Sequence, residues 1–353
     1  MKHILAINPG ATSTKIAVYN DTTELFREEI TYDPHHFAHT THVIDQLDTR
    51  ANDIEKILRD RGENNFDAVV GRGGLIGPVA PGAITVDDTF EDIVRNRPTL
   101  QHASNLGGPL ARIMAATFGI PHAPAYVYDP VTVDEISDVA RITGIAGIHR
   151  ESIGHHLNMR AVAIDLANKL GKGYPNSDII VVHIGGGSSA SAHQHGTVID
   201  FISDDEIQFS AERSGGLPLK TVTTLLNTMS VEEFTQLVRS RAGLRSHADT
   251  TDLRVLENRI DNGDTHAALI LEAMALNIAK AIGCLATTMK GSVDAIILTG
   301  GMAHSNRLCT LVAERTAFIA PLHPYPGEAE MAALAAGALR VLNGEEHAHT
   351  LTP

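Results

Sequence analysis

The sequence predicts an α/β protein made of two copies of one design facing each other across a cleft, and three glycine-bearing turns carry that expectation. The first closes the stretch Asp178-Ile179-Ile180-Val181-Val182-His183-Ile184-Gly185-Gly186-Gly187-Ser188-Ser189. Its β-branched run is too short for a helix and is bounded by turn residues, so it reads as a buried strand. Glycines at the strand exit let backbone approach a ligand, and N–H groups with the Ser188 and Ser189 hydroxyls suit phosphate oxygens. The second turn lies near the N-terminus, where residues 4–7 lead into Asn8-Pro9-Gly10-Ala11-Thr12-Ser13-Thr14. Strands over 15–19 and 25–30 follow, joined at Asn20-Asp21; the later copy has the same order, with a turn at His195-Gly196 and a strand over 198–202. Such repetition marks a duplicated domain. A third turn, Thr299-Gly300-Gly301, ends the apolar run 295–298, and three phosphate-sized turns at strand ends point to one nucleotide site.

Whole-chain properties narrow the function further. A length of 353 residues favours two domains, each able to bury its own core. A net charge of −14 argues against a nucleic-acid binder and means that any phosphate site must gather its cations locally; Arg72 and Arg213, both near glycines, are the candidates. The two cysteines, Cys284 and Cys309, have neither disulfide-framework nor metal-ligand spacing, which suits a reducing cytoplasm. No signal peptide precedes the first strand, and no apolar run is expected to supply the ~20 residues of a membrane span. The 19 histidines include His35-His36 and His155-His156, but no zincin-type i,i+4 pair with its glutamate.

Taken in order, residues 38–61 carry Val43, Leu47, Ile54 and Leu58 at helical spacing and stop at Gly62. The strand 67–70 runs into Gly71-Arg72-Gly73-Gly74, an arginine at a strand's C-terminal end, where open α/β sheets bind ligands; a solvated arginine in a tight turn is the alternative. A helix is expected from about 103 to 118 with Ser104 as N-cap, just after His102. Next comes the strand 125–128, whose exit residue Asp129 either binds magnesium or caps the turn before Pro130. Further helices are expected over 134–142, 153–170, 230–241, 267–289 and from 305, then a strand over 317–320 and a last helix to about 342.

Together these segments resemble the acetate kinase family. The resemblance rests on Asn8-Pro9-Gly10-Ala11-Thr12-Ser13-Thr14-Lys15, Gly71-Arg72-Gly73-Gly74, His102-Ala103-Ser104-Asn105 and Asp129-Pro130-Val131. It continues through His183 to Gly187, Glu212-Arg213-Ser214-Gly215-Gly216, Thr299-Gly300-Gly301 and Tyr325-Pro326-Gly327-Glu328, so it spans nearly the whole chain in one order. It implies the duplicated ribonuclease-H-like fold of actin and the sugar kinases, with one domain from 1–152 plus about 325–353 and the other from 153–324. A hinge would lie near 150–157 and 321–328, closing the cleft on its ligands.

The resemblance also implies roles. Arg72 and Arg213 would hold the carboxylate and the transferring phosphoryl, whose equatorial charge suits guanidinium forks. His183 would contact the phosphoryl, with His102 a second histidine of the site and Asn8 a phosphate-contacting amide. Asp129 and Glu328 would organise Mg2+, with Glu330 two residues away as the competing choice. Gly185, Gly186, Gly187 and Ser188 would form the phosphate loop, and Gly300 and Gly301 the adenosine side. The activity implied is ATP-dependent phosphorylation of a short-chain fatty acid, butyrate first, with acetate, propionate or isobutyrate as alternatives and a non-catalytic actin-like nucleotide switch as the reading of another class. A cytoplasmic homodimer is implied, with the helix over 267–289 as a partner surface; neither nucleic acid nor membrane is an expected partner. Two departures from the family bear on acid binding: Gly77 stands where an arginine is usual, and the stretch from Asp200 to Glu212 is short.

Overall fold

A computed structural model describes residues 1–33, 35–37 and 40–352, and the chain forms two compact units. Unit 1 comprises Met1–Asp134 with Ala329–Pro353, and unit 2 comprises Glu135–Glu328. The chain therefore leaves unit 1 at Asp134 rather than near residue 150. Residues 135–150 stay with unit 2 because the Ser137 N–H donates to the Ile199 carbonyl and the Val198 N–H to the Glu135 carboxylate.

The sheet of unit 1 contains β1 (His3–Pro9), β2 (Ser13–Asn20), β3 (Thr23–Thr31), β4 (Ala68–Arg72), β5 (Ala83–Thr85) and β6 (Ala125–Tyr128) in the order β3-β2-β1-β4-β6-β5. The first three strands are an antiparallel meander, and β4 and β6 run parallel to β1. Alternation sends Leu5, Ile7, Ile16, Val18 and Val69 into a core shared with α1 (Leu47–Arg61) and α3 (Gly107–Phe118); between those helices lies α2 (Asp88–Asn96). In α1 the spacing of Leu47, Ala51, Ile54 and Leu58 makes one buried stripe, and Gly62 ends the helix at φ 70°. Residues 43–46 form a separate 3-10 turn before it, so the expected helix is shorter at its start; Ala38 and His39 lie outside the described residues. Arg50 of α1 is fully buried between the Tyr32 and Phe37 rings and donates to the Ser13 carbonyl and the Thr14 hydroxyl, which fixes the first glycine turn. The C-terminal helix Glu330–Leu342 packs on β1, β4 and β6.

Unit 2 repeats the plan. Its sheet holds β7 (Asp178–Ile184), β8 (Ser188–Gln194), β9 (Thr197–Ile202), β10 (Ala295–Gly300) and β11 (Leu322–Pro326), ordered β11-β10-β7-β8-β9. Read from the meander outward, β9-β8-β7-β10-β11 matches β3-β2-β1-β4-β6, with the same antiparallel and parallel senses. The likeness extends to detail. Both second-to-third strand pairings slip register just before the turn, at Val18/Tyr19 and Ala192/His193, and both turns hold a residue at positive φ, Asp21 and His195. The helices are α4 (Asp138–Arg141), α5 (His156–Lys169), α6 (Leu219–Leu226), α7 (Val231–Ser240), α8 (Gly243–Ala248), α9 (Leu253–Asp261), α10 (Thr265–Thr288) and α11 (Asn306–Thr316). Ile180 and Val182 of β7 pack with α10, while Ile179 and Val181 pack with Met159, Ala163 and Leu166 of α5.

Two expectations need correction here. The helix α10, at 24 residues, is long and apolar enough to cross a membrane. Much of its apolar length is spent on the core, where Ile270, Leu271, Met274, Ile278, Ile282 and Leu285 are buried, while Leu269 and Leu276 stay exposed on its other face. The late strand is Leu322–Pro326 rather than 317–320, a segment that instead ends α11 and turns.

Candidate active site

In unit 1 the candidate residues stand at the C-terminal ends of adjacent parallel strands. Asn8 belongs to β1, Arg72 closes β4, and Asp129 follows β6. Glycine is required at Gly71, where a Cβ would lie 2.0 Å from the Gly107 carbonyl oxygen, so backbone meets backbone and β4 is seated against the start of α3. Glu330, the first residue of the C-terminal helix, holds the group together: the Asn8 amide donates to its carboxylate at 2.5 Å and Arg72 Nη1 lies 3.0 Å from it. Glu330 is thus the glutamate beside Asn8 and Arg72. Asp129 is buried, and its Oδ1 accepts the Gly82 N–H at 2.7 Å, so at least one oxygen serves as a turn cap. His102, not Ser104, is the N-cap of the turn 103–106: its Nδ1 accepts the Ser104 N–H, which leaves the proton of the neutral ring on Nε2. Burial pushes the His102 pKa down, and the Arg72 charge pushes it the same way.

In unit 2 the phosphate-loop candidates follow β7. None of Gly185, Gly186 and Gly187 has positive φ, and a Cβ on any of them would meet protein atoms no closer than 3.4 Å. Neither backbone conformation nor internal packing demands glycine there, so the space these residues leave is available to a ligand. The N–H groups of Gly186 and Gly187 have no acceptor among the described residues, while Ala211 N–H, Glu212 N–H and the Ser210 hydroxyl donate to the carbonyls of Gly185 and Gly186. His183 is buried, its Nδ1 accepts from the Asn158 amide at 3.1 Å, and its Nε2 lies 3.1 Å from Glu328 Oε1. The ring stacks on His155 at 3.9 Å between centroids. Arg213 Nε donates to Asp204 at 3.3 Å.

Two of the expected nucleotide contacts fail. Ser188 is wholly buried and its hydroxyl donates to the His183 carbonyl, so it closes the hairpin and does not meet phosphate. Ser189 is equally buried, with its oxygen on the His155 ring. Gly300 is a packing glycine: at φ 90° a Cβ would lie 2.4 Å from the Ile184 carbonyl oxygen. A cleft of about 800 Å3 opens beside the loop, lined by Gly185, Gly186 and Gly301 of the predicted set, and also by Asp252, Arg254, Glu257 and Ser305. Among the described residues no cluster of three or more metal-binding side chains occurs.

Comparison with known proteins sets these features in context. Residues 146–319 match the model of the acetokinase family. The chain is 41% identical over 354 residues to butyrate kinase 1 of Clostridium acetobutylicum, covering 99% of each chain. The chain belongs to the acetokinase family. It is also 42% identical to a probable butyrate kinase of Bacteroides thetaiotaomicron, over 97% of this chain and 98% of that one. The crystal structure of Porphyromonas gingivalis acetate kinase superposes with a TM-score of 0.80 at 18% identity, covering 97% of this chain and 100% of that one, which shows the shared two-domain actin- and sugar-kinase-like fold.

Within this acetokinase-family chain, several site residues carry no local signature. His155 and Asn158 reach His183 from α5, and Asn158 also donates to Thr299, tying three elements around one imidazole. Asp252 and Arg254 bond one another at the start of α9, and Ser305 donates to Glu257 at 2.5 Å across 48 positions. A polar run such as Thr250-Thr251-Asp252 reads only as a helix cap, which Asp252 also is.

Proposed function

We propose that the chain transfers the γ-phosphoryl group of ATP to the carboxylate of a short-chain fatty acid, butyrate before other acids, giving butyryl phosphate and ADP reversibly in the cytoplasm. What carries this reading is 41% identity along the full length of butyrate kinase 1, with both arginines of the resemblance present at strand and loop ends. The acid needs no general base, because a carboxylate is ionised at neutral pH and its oxygen attacks phosphorus directly. Catalysis then consists of positioning and of spreading the charge of the transferring group.

Roles divide by unit. Unit 2 supplies the nucleotide cleft, with the free amides of Gly186 and Gly187 for phosphate oxygens and Gly301, Asp252 and Arg254 toward the nucleoside. The Asn158 amide makes Nδ1 of His183 an acceptor, so the neutral ring carries its proton on Nε2, which faces Glu328 at 3.1 Å and is the donor for which a phosphoryl oxygen would compete. Arg213 offers its guanidinium to the same charge. Unit 1 supplies Arg72 for the acid, with His102 beside it. The side chains of Asn8, Glu330 and Asp129 carry hard oxygens of the kind Mg2+ takes. When bound, the ion neutralises phosphate charge.

The test is a hydroxamate assay of ATP-dependent acyl phosphate formation across straight acids of two to six carbons and isobutyrate. Hydroxamate should form with the highest kcat/KM for butyrate. Failure with every acid would overturn the activity, and a maximum at two carbons would overturn the assignment of butyrate.

A further inference from the structure

The segment from Asp200 to Glu212 holds a carboxylate, Asp204, that the reading above does not use. We infer that Asp204 is a positioning residue that aims the guanidinium of Arg213 at the transferring group, an inference that rests on the proposed role of Arg213. Arg213 Nε donates to Asp204 Oδ2 at 3.3 Å, and the two side chains are equally shielded, 28% and 27% exposed. The four N–H donors on the terminal nitrogens of Arg213 have no partner among the described residues. Asp204 therefore grips the guanidinium at its inner edge and leaves the outer fork, the part that matches phosphoryl or carboxylate oxygens, open.

The grip is built on fixed ground at both ends. Arg150 spans the turn that carries Asp204, bonding Asp200 at 2.8 Å on one side and Glu206 at 2.7 Å on the other. Arg213 is fixed at its own backbone, where its N–H donates to the Ser210 hydroxyl and its carbonyl accepts the Ser210 N–H. Ser210 in turn donates to the Gly186 carbonyl at 2.6 Å, so the arginine is tied to the phosphate loop. A Cβ placed on Gly187 would stand 3.8 Å from Asp204 Oδ2 and 3.6 Å from the His155 ring, which puts the carboxylate at the exit of that loop. An arginine side chain free to rotate loses much of its conformational entropy on meeting its ligand; one already held by Nε loses less.

The experiment uses the full chain with Asp204→Ala, Asp204→Asn, Arg213→Ala and the double variant Asp204→Ala/Arg213→Ala. Asp204→Ala should lower kcat with butyrate about tenfold to a hundredfold. Asp204→Asn, which keeps an acceptor for Nε–H, should recover part of that loss. The KM for ATP and the dissociation constant of ADP by calorimetry should stay within about twofold, because Asp204 does not line the nucleotide cleft. In the Arg213→Ala background, Asp204→Ala should have no further effect. The Arg213 Nε–H proton resonance, assigned by its loss in Arg213→Ala, should move upfield in Asp204→Ala. Unchanged kcat in Asp204→Ala beside a crippled Arg213→Ala overturns the positioning role and leaves the arginine's role intact. Faster turnover in Asp204→Ala, the mark of a carboxylate that competes with the substrate, overturns it too, as does an unmoved Nε–H resonance. Full turnover in Arg213→Ala would instead overturn the role of the arginine on which the inference rests.

Discussion

Arg72 and Arg213 differ in what their own units do with them. Arg72 Nη1 is engaged by Glu330 at 3.0 Å, whereas among the described residues the Arg213 side chain is held at Nε alone. Both are expected to meet charge that grows in the transition state, so Arg72→Ala and Arg213→Ala should each lower kcat about a hundredfold or more, a loss of about 3 kcal/mol. ADP binding, measured by calorimetry, should persist in both, since neither arginine lines the cleft of unit 2. Near-normal turnover in either variant removes that arginine from the mechanism. Gln208 makes the opposite kind of prediction. It is fully buried, and neither its amide nitrogen nor its amide oxygen has a partner among the described residues. A desolvated, unpaired polar group costs about 1–3 kcal/mol. Gln208→Met keeps the volume and removes both groups, so the thermal midpoint should rise; a lower midpoint would mean that the amide holds a structural water.

At the scale of elements, β8 buries a histidine that stays neutral. His193 lies between the Tyr174 hydroxyl at 2.8 Å and the Ser191 hydroxyl at 2.7 Å, and burial, helped by His156 and Arg160, pushes its pKa down to about 3. A folded-state value below the ordinary 6.5 means that the unfolded chain binds the extra proton first. Stability is therefore complete above about pH 6.5 and is lost as the pH falls toward 3, by at most about 5 kcal/mol at roughly 1.4 kcal/mol per pH unit. Urea midpoints measured from pH 7 to 4 should fall steeply, and His193→Gln should flatten that limb; equal slopes would place the acid sensitivity elsewhere. The hairpins around β8 and its counterpart β2 were readable because their turns use Asp21 and His195-Gly196 and their strands keep a period of two. The strand β11 was misplaced because Pro324 and Pro326 argue against a strand, yet β11 is an edge strand and tolerates them. The helix α6 buries no residue and has no side-chain cap, so nothing marked it, whereas α7 was expected over 230–241 and is found there. The site was readable where a residue sits in its own motif, as Asn8, Arg72 and Gly185 do. Glu330 was named as the alternative to Glu328, whereas His155, Asn158 and Asp204 were missed as partners because only the fold brings them to His183 and Arg213.

For the whole molecule, assembly is the open property, and the residues left exposed argue for it. The exposed apolar residues of unit 2 include Leu269 and Leu276 of α10, and they are densest at Val139, Ile142, Ile145 and Ile148, which are 57–85% exposed within ten positions. That segment is held at its base, where Arg150 donates to the Ala140 carbonyl and the Thr143 hydroxyl bonds the Ile145 and Ile148 carbonyls. Four branched side chains on a braced segment cost free energy in water, at about 25 cal/mol for each Å2 of apolar surface left uncovered. A second copy of the chain is the partner expected to cover them, despite the net charge of −14 that each copy carries, because the four side chains are uncharged and Arg141 is the one charged residue between Val139 and Ile148. Light scattering at micromolar concentration should give the mass of a dimer or a multiple of it. The double variant Ile145→Asp/Ile148→Asp should give 37.7 kDa, the mass of one chain, with an unchanged circular dichroism spectrum. A monomeric wild type would end the assembly prediction. A variant that stays dimeric would move the contact to α6 and α7, whose Leu219 and Val231 are 83% and 71% exposed.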